Sequence, residues 1–208
     1  SASHPPAREP AAAEDETLAS YLVNLQPSFG SEFHRVIYEH RAKCAEAYGS
    51  DPTYLYPFHI SVTGFFEATA RKVERLLTMM KEMLQSDIDM TDNVTVGKVI
   101  CTKTGYVLFD MKAKAISNSI QRLGERSSRE LDLHIRPKAV NHISLASNRP
   151  DEATREKIRE IYERADDEAY VSASFDLILS RLVQRSSFER LAEDGPHQFA
   201  EVARLPVR

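Results

Sequence analysis

Two short stretches of the sequence, PFHISVTGFF at residues 57–66 and AVNHISLAS at residues 139–147, each set a histidine two positions before a serine inside an otherwise apolar run. Side chains alternate along a strand, so His59, Ser61, Thr63 and Phe65 share one face while Phe58, Ile60 and Val62 share the other. In the second copy His142, Ser144 and Ala146 lie on one face, opposite Ile143 and Leu145. Each stretch thus offers an imidazole beside a hydroxyl on an apolar backing. An imidazole, with an ordinary pKa of about 6.5, can take up a proton as the neutral ring or supply one as the cation. One neutral and one protonated ring form an acid and base pair, which makes His59 and His142 the candidate catalytic residues.

A single histidine on a strand is ordinarily a satisfied core residue, and a single serine hydroxyl ordinarily bonds nearby backbone. The pairing carries the signal: both copies have an apolar residue between His and Ser, an apolar residue after Ser, and a strand context. Zinc would want three or four protein ligands, and neither HExxH nor a local Cys/His cluster supplies them, so no metal or cofactor is expected. GxSxG, GxxxxGK and GxGxxG are absent, which disfavours a serine nucleophile and a triphosphate or dinucleotide cradle. His4, His34, His40, His134 and His197 are given no role.

The elements that must carry the two stretches are legible in outline. SYLVNL (20–25) reads as a strand broken by Pro27 and Gly30. A helix then runs from a Ser31 N-cap to Gly49, with Phe33, Val36, Ile37, Cys44 and Ala47 at helical spacing. DPTYLYP turns the chain into the first HIS strand. Ala70, Val73, Leu76, Leu77, Met80 and Leu84 mark an amphipathic helix whose methionines are core filling. Residues 93–111 read as a hairpin turning at Lys103, Thr104 and Gly105. A helix through Ile116, Ile120 and Leu123 leads to the second HIS strand. Another helix opens at Pro150, Asp151 and Glu152, with Ile158, Ile161, Tyr162 and Ala165 as its stripe. Residues 174–184 and 197–207 close the chain as a hairpin around EDGP.

This order nearly repeats itself. It predicts an α+β fold, bilobal and pseudo-two-fold, with two antiparallel sheets facing a central groove and helices packed outside. A disordered tail is expected over 1–18, where Pro, Ala and acidic residues dominate, and one domain over 19–208.

The chain has 208 residues, enough for one sizeable core, and its 27 basic and 31 acidic residues leave a net charge of -4. That balance disfavours a surface that coats nucleic acid in bulk, but admits a small or terminal anionic substrate. The lone cysteines Cys44 and Cys101 read as core residues in a reducing compartment, cytoplasmic or nuclear. No apolar run is long enough to span a membrane, and the opening residues do not form a secretory signal. A monomer without a membrane association is expected.

The paired HIS stretches resemble the HxSx/HxTx motifs of the 2H phosphoesterase superfamily, and the resemblance covers the chain from about residue 20 onward. In that family the motifs sit roughly eighty residues apart, one per lobe of a bilobal fold, and here His59 and His142 are 83 apart. The resemblance implies hydrolysis or transesterification of phosphodiesters without metal, on 2',3'-cyclic nucleotides or RNA termini. In-line displacement at phosphorus needs a base on one side and an acid on the other, which two imidazoles supply. Ser61 and Ser144 would then donate to the non-bridging phosphate oxygens.

Tyr54, Tyr56 and Phe65 flank the first motif and offer a stacking face for a base, with Tyr56 and Phe65 the named candidates. Between Lys98 and Lys138 nine basic residues stand against four acidic ones, either a guide for an RNA end or a solvated face. Two competing readings stand beside the first: a 2'-5' oligoadenylate phosphodiesterase, and a nucleotide- or RNA-binding module without turnover on the same fold.

Overall fold

The computed structural model describes residues 16–86, 94–163, 167–184 and 196–207. Thirteen named elements and one short 3-10 helix run in the order β1 (Ala19–Pro27), α1 (Glu32–Tyr48), the 3-10 helix (Pro52–Leu55), β2 (Ile60–Ser61), β3 (Phe66–Ala68), α2 (Ala70–Ser86), β4 (Thr95–Cys101), β5 (Val107–Lys112), α3 (Lys114–Leu131), β6 (His142–Ala146), α4 (Glu152–Glu163), α5 (Asp167–Val171), β7 (Phe175–Gln184) and β8 (Gln198–Val207). The fold is α+β, with two antiparallel sheets and five helices. Most of the expected tail, residues 1–15, lies outside the described residues, as do Ala165 and most of EDGP.

Local chemistry sets the helix ends. The Ser31 hydroxyl accepts from His34 N–H at 3.2 Å, and Gly49, at φ 76°, closes α1 with its N–H on the Ala45 carbonyl. Along α2 the buried stripe is Val73, Leu76, Met79, Met80 and Met83, so the methionines do fill the core. The β4–β5 turn places Gly105 at φ 93°, a conformation that glycine adopts without strain.

The first sheet has the order β2-β1-β7-β8, and β3 also pairs with β1. The first HIS stretch is therefore not one strand. Its pairs with β1 are Asn24 with Ser61 and Leu25 with Ile60, then Tyr21 with Phe66 further along. Between them Val62 and Thr63 both donate to the Val23 carbonyl, and the Thr63 hydroxyl accepts from Val23 N–H at 2.9 Å. This double engagement interrupts the ladder.

The closing hairpin joins the first sheet, with β7 paired to β1 from Tyr21–Arg181 to Pro27–Phe175. The first lobe is thus built from both ends of the described chain. The second sheet, β4-β5-β6, comes from the contiguous middle and sets His142 opposite Asp110 and Ser144 opposite Leu108. A correction to the helical reading is α5, a separate short helix after α4.

One core runs through both sheets. Val23 and Leu25 of β1, Leu177 and Leu179 of β7, Phe109 of β5, and Ile143 and Leu145 of β6 belong to it, with stripes from α1, α2, α3 and α4. Alternate residues of β1 and β7, Leu22, Asn24, Ile178 and Ser180, face a groove on the other side of the first sheet.

Candidate active site

Where the two sheets meet, the end of the first HIS stretch runs antiparallel to residues 136–138, just before the second. Lys138 N–H donates to the Val62 carbonyl at 2.8 Å and Gly64 N–H to the Arg136 carbonyl at 2.9 Å, with Thr63 bridged antiparallel to Pro137. Val140 then bends the chain away. Its φ of 51° is uncommon for a β-branched residue, and it sits buried just before Asn141 and His142. Beyond that bend β6 leaves for β5 while still packing beside β2. The motif strands therefore meet at a fork.

A clasp holds this junction. Asp51 and Arg149 form an ion pair at 3.2 Å, with side chains 3% and 11% exposed. Arg149 also donates to the Tyr48 and Gly49 carbonyls at 2.7 and 2.5 Å. Asp51 accepts from Thr53 N–H at 2.8 Å and from the Ser147 hydroxyl at 3.5 Å. The segment before the first motif is thereby tied to the segment after the second.

Burial alternates from Phe58 to Val62 and from His142 to Leu145, but Ala146, read as sharing the face of His142 and Ser144, is buried beside Leu145 where the β5–β6 register shifts. Phe58, Ile60, Val62, Ile143 and Leu145 are buried, whereas His59, Ser61, Thr63 and Phe65 line a groove of about 690 Å³. His59 is half-buried at the groove edge. Its Nδ1 lies 2.8 Å from the Pro57 carbonyl, which can only accept, so Nδ1 carries the proton and the neutral ring keeps its lone pair on Nε2.

Burial is the main influence that lowers the His59 pKa below the ordinary value. The Pro57 carbonyl opposes this, and the positive charges of His142 and Arg41 add to the lowering. His142 is exposed, with Nδ1 2.8 Å from Asn141 Oδ1. The structure thus puts His142 within electrostatic reach of His59. It also leaves His142 and Ser144 outside the groove lining.

Ser61 and Ser144 are half-buried, and among the described residues neither hydroxyl makes a side-chain hydrogen bond. Thr63 differs, because its hydroxyl is committed to Val23.

Arg41 was not singled out in the sequence. It is buried on α1 and donates to the Thr53 and Tyr56 carbonyls at 3.1 and 2.9 Å. Its guanidinium also lies 5.1 Å from the centre of the Tyr54 ring. Burial lowers its pKa, and among the described residues no carboxylate forms an ion pair with it. Arg41 holds the 3-10 turn that delivers Pro57, Phe58 and His59. A buried arginine on an amphipathic helix gives no local pattern that would have revealed this.

The aromatic candidates separate. Tyr54 packs against the core and is not part of the groove lining, and burial pushes its phenol up to about 12. Tyr56 and Phe65 do line the groove. Across it stand His197 and Phe199 of the β8 end, which the sequence reading passed over. Phe65 and Phe199 stack with an interplanar angle of 9° and ring centres 6.2 Å apart, and Tyr56 Oη accepts from His197 N–H at 3.0 Å. Only the alternation of His197, Phe199 and Glu201 at two-residue steps hinted at a shared face.

In the basic segment, Arg126 is engaged by Glu82 and Glu130, at 2.7 and 3.1 Å, along the contact of α2 with α3. Part of that segment is therefore structural. Cys44 is buried, its thiol pushed up to about 11, and Cys101 packs half-buried on the core. Among the described residues no three His, Cys, Asp or Glu side chains converge as a metal-ligand group, and no helix is long and apolar enough to cross a membrane.

No family model matches the chain, and no curated protein aligns with it significantly.

Proposed function

We propose that the protein is a phosphodiesterase of the 2H type, acting without metal on 2',3'-cyclic nucleotides or RNA termini through His59 and His142. The observation that carries this reading is the fork: β2 packs beside β6, so that the two motif segments come together, with His59 lining the groove and His142 exposed and opposing protonation of His59.

His59 enters neutral and removes the nucleophile's proton with Nε2, while His142 protonates the departing oxygen. With no side-chain hydrogen bond among the described residues, the Ser61 and Ser144 hydroxyls donate to the non-bridging oxygens, whose charge the transition state redistributes. Asn141 orients the His142 ring through Nδ1.

The test is turnover in EDTA of 2',3'-cyclic nucleotides, a short RNA and a 2'-5' adenylate trimer. Activity that is lost in both His59→Ala and His142→Ala supports the assignment. Binding without turnover on all three would instead assign a recognition module.

A further inference from the structure

We propose that the groove selects the base of its nucleotide, and that Glu201 makes this selection in favour of guanine. This rests on the phosphodiesterase reading and adds to it the identity of the base beside the reacting phosphate.

Glu201 stands in the groove because β8 is irregular. Arg204 pairs with Ile178 and Ala203 with Leu179, but Ser180 is met by Glu201 where an unbroken ladder would bring Val202. Regular alternation would turn Val202 toward the groove and Glu201 away from it. The bulge exchanges the two, so that a carboxylate joins the groove lining and Val202 does not.

The carboxylate is also oriented. Arg204 donates to its Oε1 from Nε at 3.0 Å and from Nη2 at 2.8 Å. The remaining Nη1 is fixed on Asp176 Oδ2 at 2.9 Å, and the buried Asp176 accepts from the Ser28 hydroxyl at 3.1 Å. Among the described residues nothing donates to Glu201 Oε2. One oxygen is thus held and the other is left open as an acceptor. Ser180, the partner of Glu201 across the ladder, lines the groove with a hydroxyl at the same place.

Phe199 precedes Glu201 by two residues, lines the same groove and stacks with Phe65. A base lying on these rings turns an edge toward Oε2, and that edge must donate. Guanine alone among the common bases sets two donors side by side, N1–H and N2–H, which Oε2 and the Ser180 hydroxyl can accept. Adenine, cytosine and uracil each set acceptors directly beside the donor, where a carboxylate repels them. The span fits as well. Ser61 lies opposite Asn24, Asn24 opposite Ile178 and Ile178 opposite Arg204, so three strand spacings, about 14 Å, separate the phosphate side of the groove from β8. Side chains reaching in from both walls shorten this to the length of one nucleotide. Its phosphate then sits at His59 and Ser61, and the negative charge of Glu201 stays at the far end, with the base.

The experiment measures kcat/KM in EDTA for the 2',3'-cyclic phosphates of guanosine, adenosine, cytidine and uridine, and binding of the four 3'-monophosphates by calorimetry, in the wild type and in Glu201→Gln. The amide keeps the shape of the side chain and removes its charge. The expected result is a guanosine lead of at least about 10-fold, carried by KM, that shrinks to within about threefold in Glu201→Gln, the size of one hydrogen bond to a charged group. Four substrates within about threefold of one another in the wild type, or a guanosine lead that survives in Glu201→Gln, would overturn the base assignment and leave the phosphodiesterase reading standing. Absence of turnover on all four would overturn that reading, and the monophosphates then decide the base: a guanosine lead lost in Glu201→Gln upholds the assignment, and equal or absent binding overturns it.

Discussion

The guanidinium carbon of Arg41 lies 3.7 Å from the ring centre of Phe58, the residue immediately before His59. A cation held over that ring by two backbone carbonyls, with no carboxylate ion pair among the described residues, opposes a second positive charge on the next side chain.

Replacing Arg41 should therefore raise the His59 pKa. In Arg41→Met the alkaline-going rise of the pH–rate profile moves to higher pH, and the NMR titration of the His59 ring moves the same way. Arg41→Lys keeps the charge and holds the wild-type limb more nearly. An unmoved His59 titration in Arg41→Met would refute the electrostatic role.

Ser61 and Thr63 share a face but serve different ends. Ser61→Ala is expected to keep the wild-type urea midpoint and lose about 100- to 1,000-fold in kcat, the size of one lost donor to a developing oxyanion. Thr63→Val deprives the buried Val23 N–H of its hydroxyl acceptor and should cost about 1–3 kcal/mol of stability. Equal stability loss in both variants would count against the division.

The Asp51–Arg149 clasp joins the approaches to the two motifs. Arg149→Met leaves a nearly buried carboxylate without its counter-cation and removes the Arg149 donors from two carbonyls, and urea titration should register a loss of about 3–5 kcal/mol. A loss below about 1 kcal/mol would show that the clasp is incidental.

His40 is buried, and neither ring nitrogen has a hydrogen-bond partner among the described residues. Burial lowers its pKa most, Lys43 adds to this and Glu39 opposes it. With the folded pKa below the unfolded value, the unfolded chain binds more protons in that window, so stability is full above about pH 6.5 and falls as pH drops through the folded pKa. His34 and His59 are lowered as well and add to the same slope. His40→Leu should flatten the loss between pH 7 and pH 5, as measured by urea midpoints. An unchanged slope would remove His40 from that balance.

The parts legible in the sequence were those written locally. Ser31 and Gly49 bound α1, apolar stripes marked the helices, and Gly105 marked the β4–β5 turn. Alternation placed the His59, Ser61, Thr63 and Phe65 side chains on a single groove-facing side. What escaped depends on pairing across long separations. The break between β2 and β3 arises from Thr63 engaging Val23, forty positions away. The closing hairpin reads identically whichever sheet receives it, and only its pairing with β1 brings Phe199 over Phe65. Arg41 looked like one more charge on a helix because its carbonyl partners come from the turn beyond.

Because β7 lies between β1 and β8, the strand that opens the described chain waits for partners more than 140 positions later. During synthesis on the ribosome, the β4-β5-β6 sheet can close as soon as its own residues emerge. Both the wall bearing Phe199 and the floor bearing Ile178 arrive last, so a nascent chain stalled before residue 175 would hold both histidines yet have no finished cleft to act in.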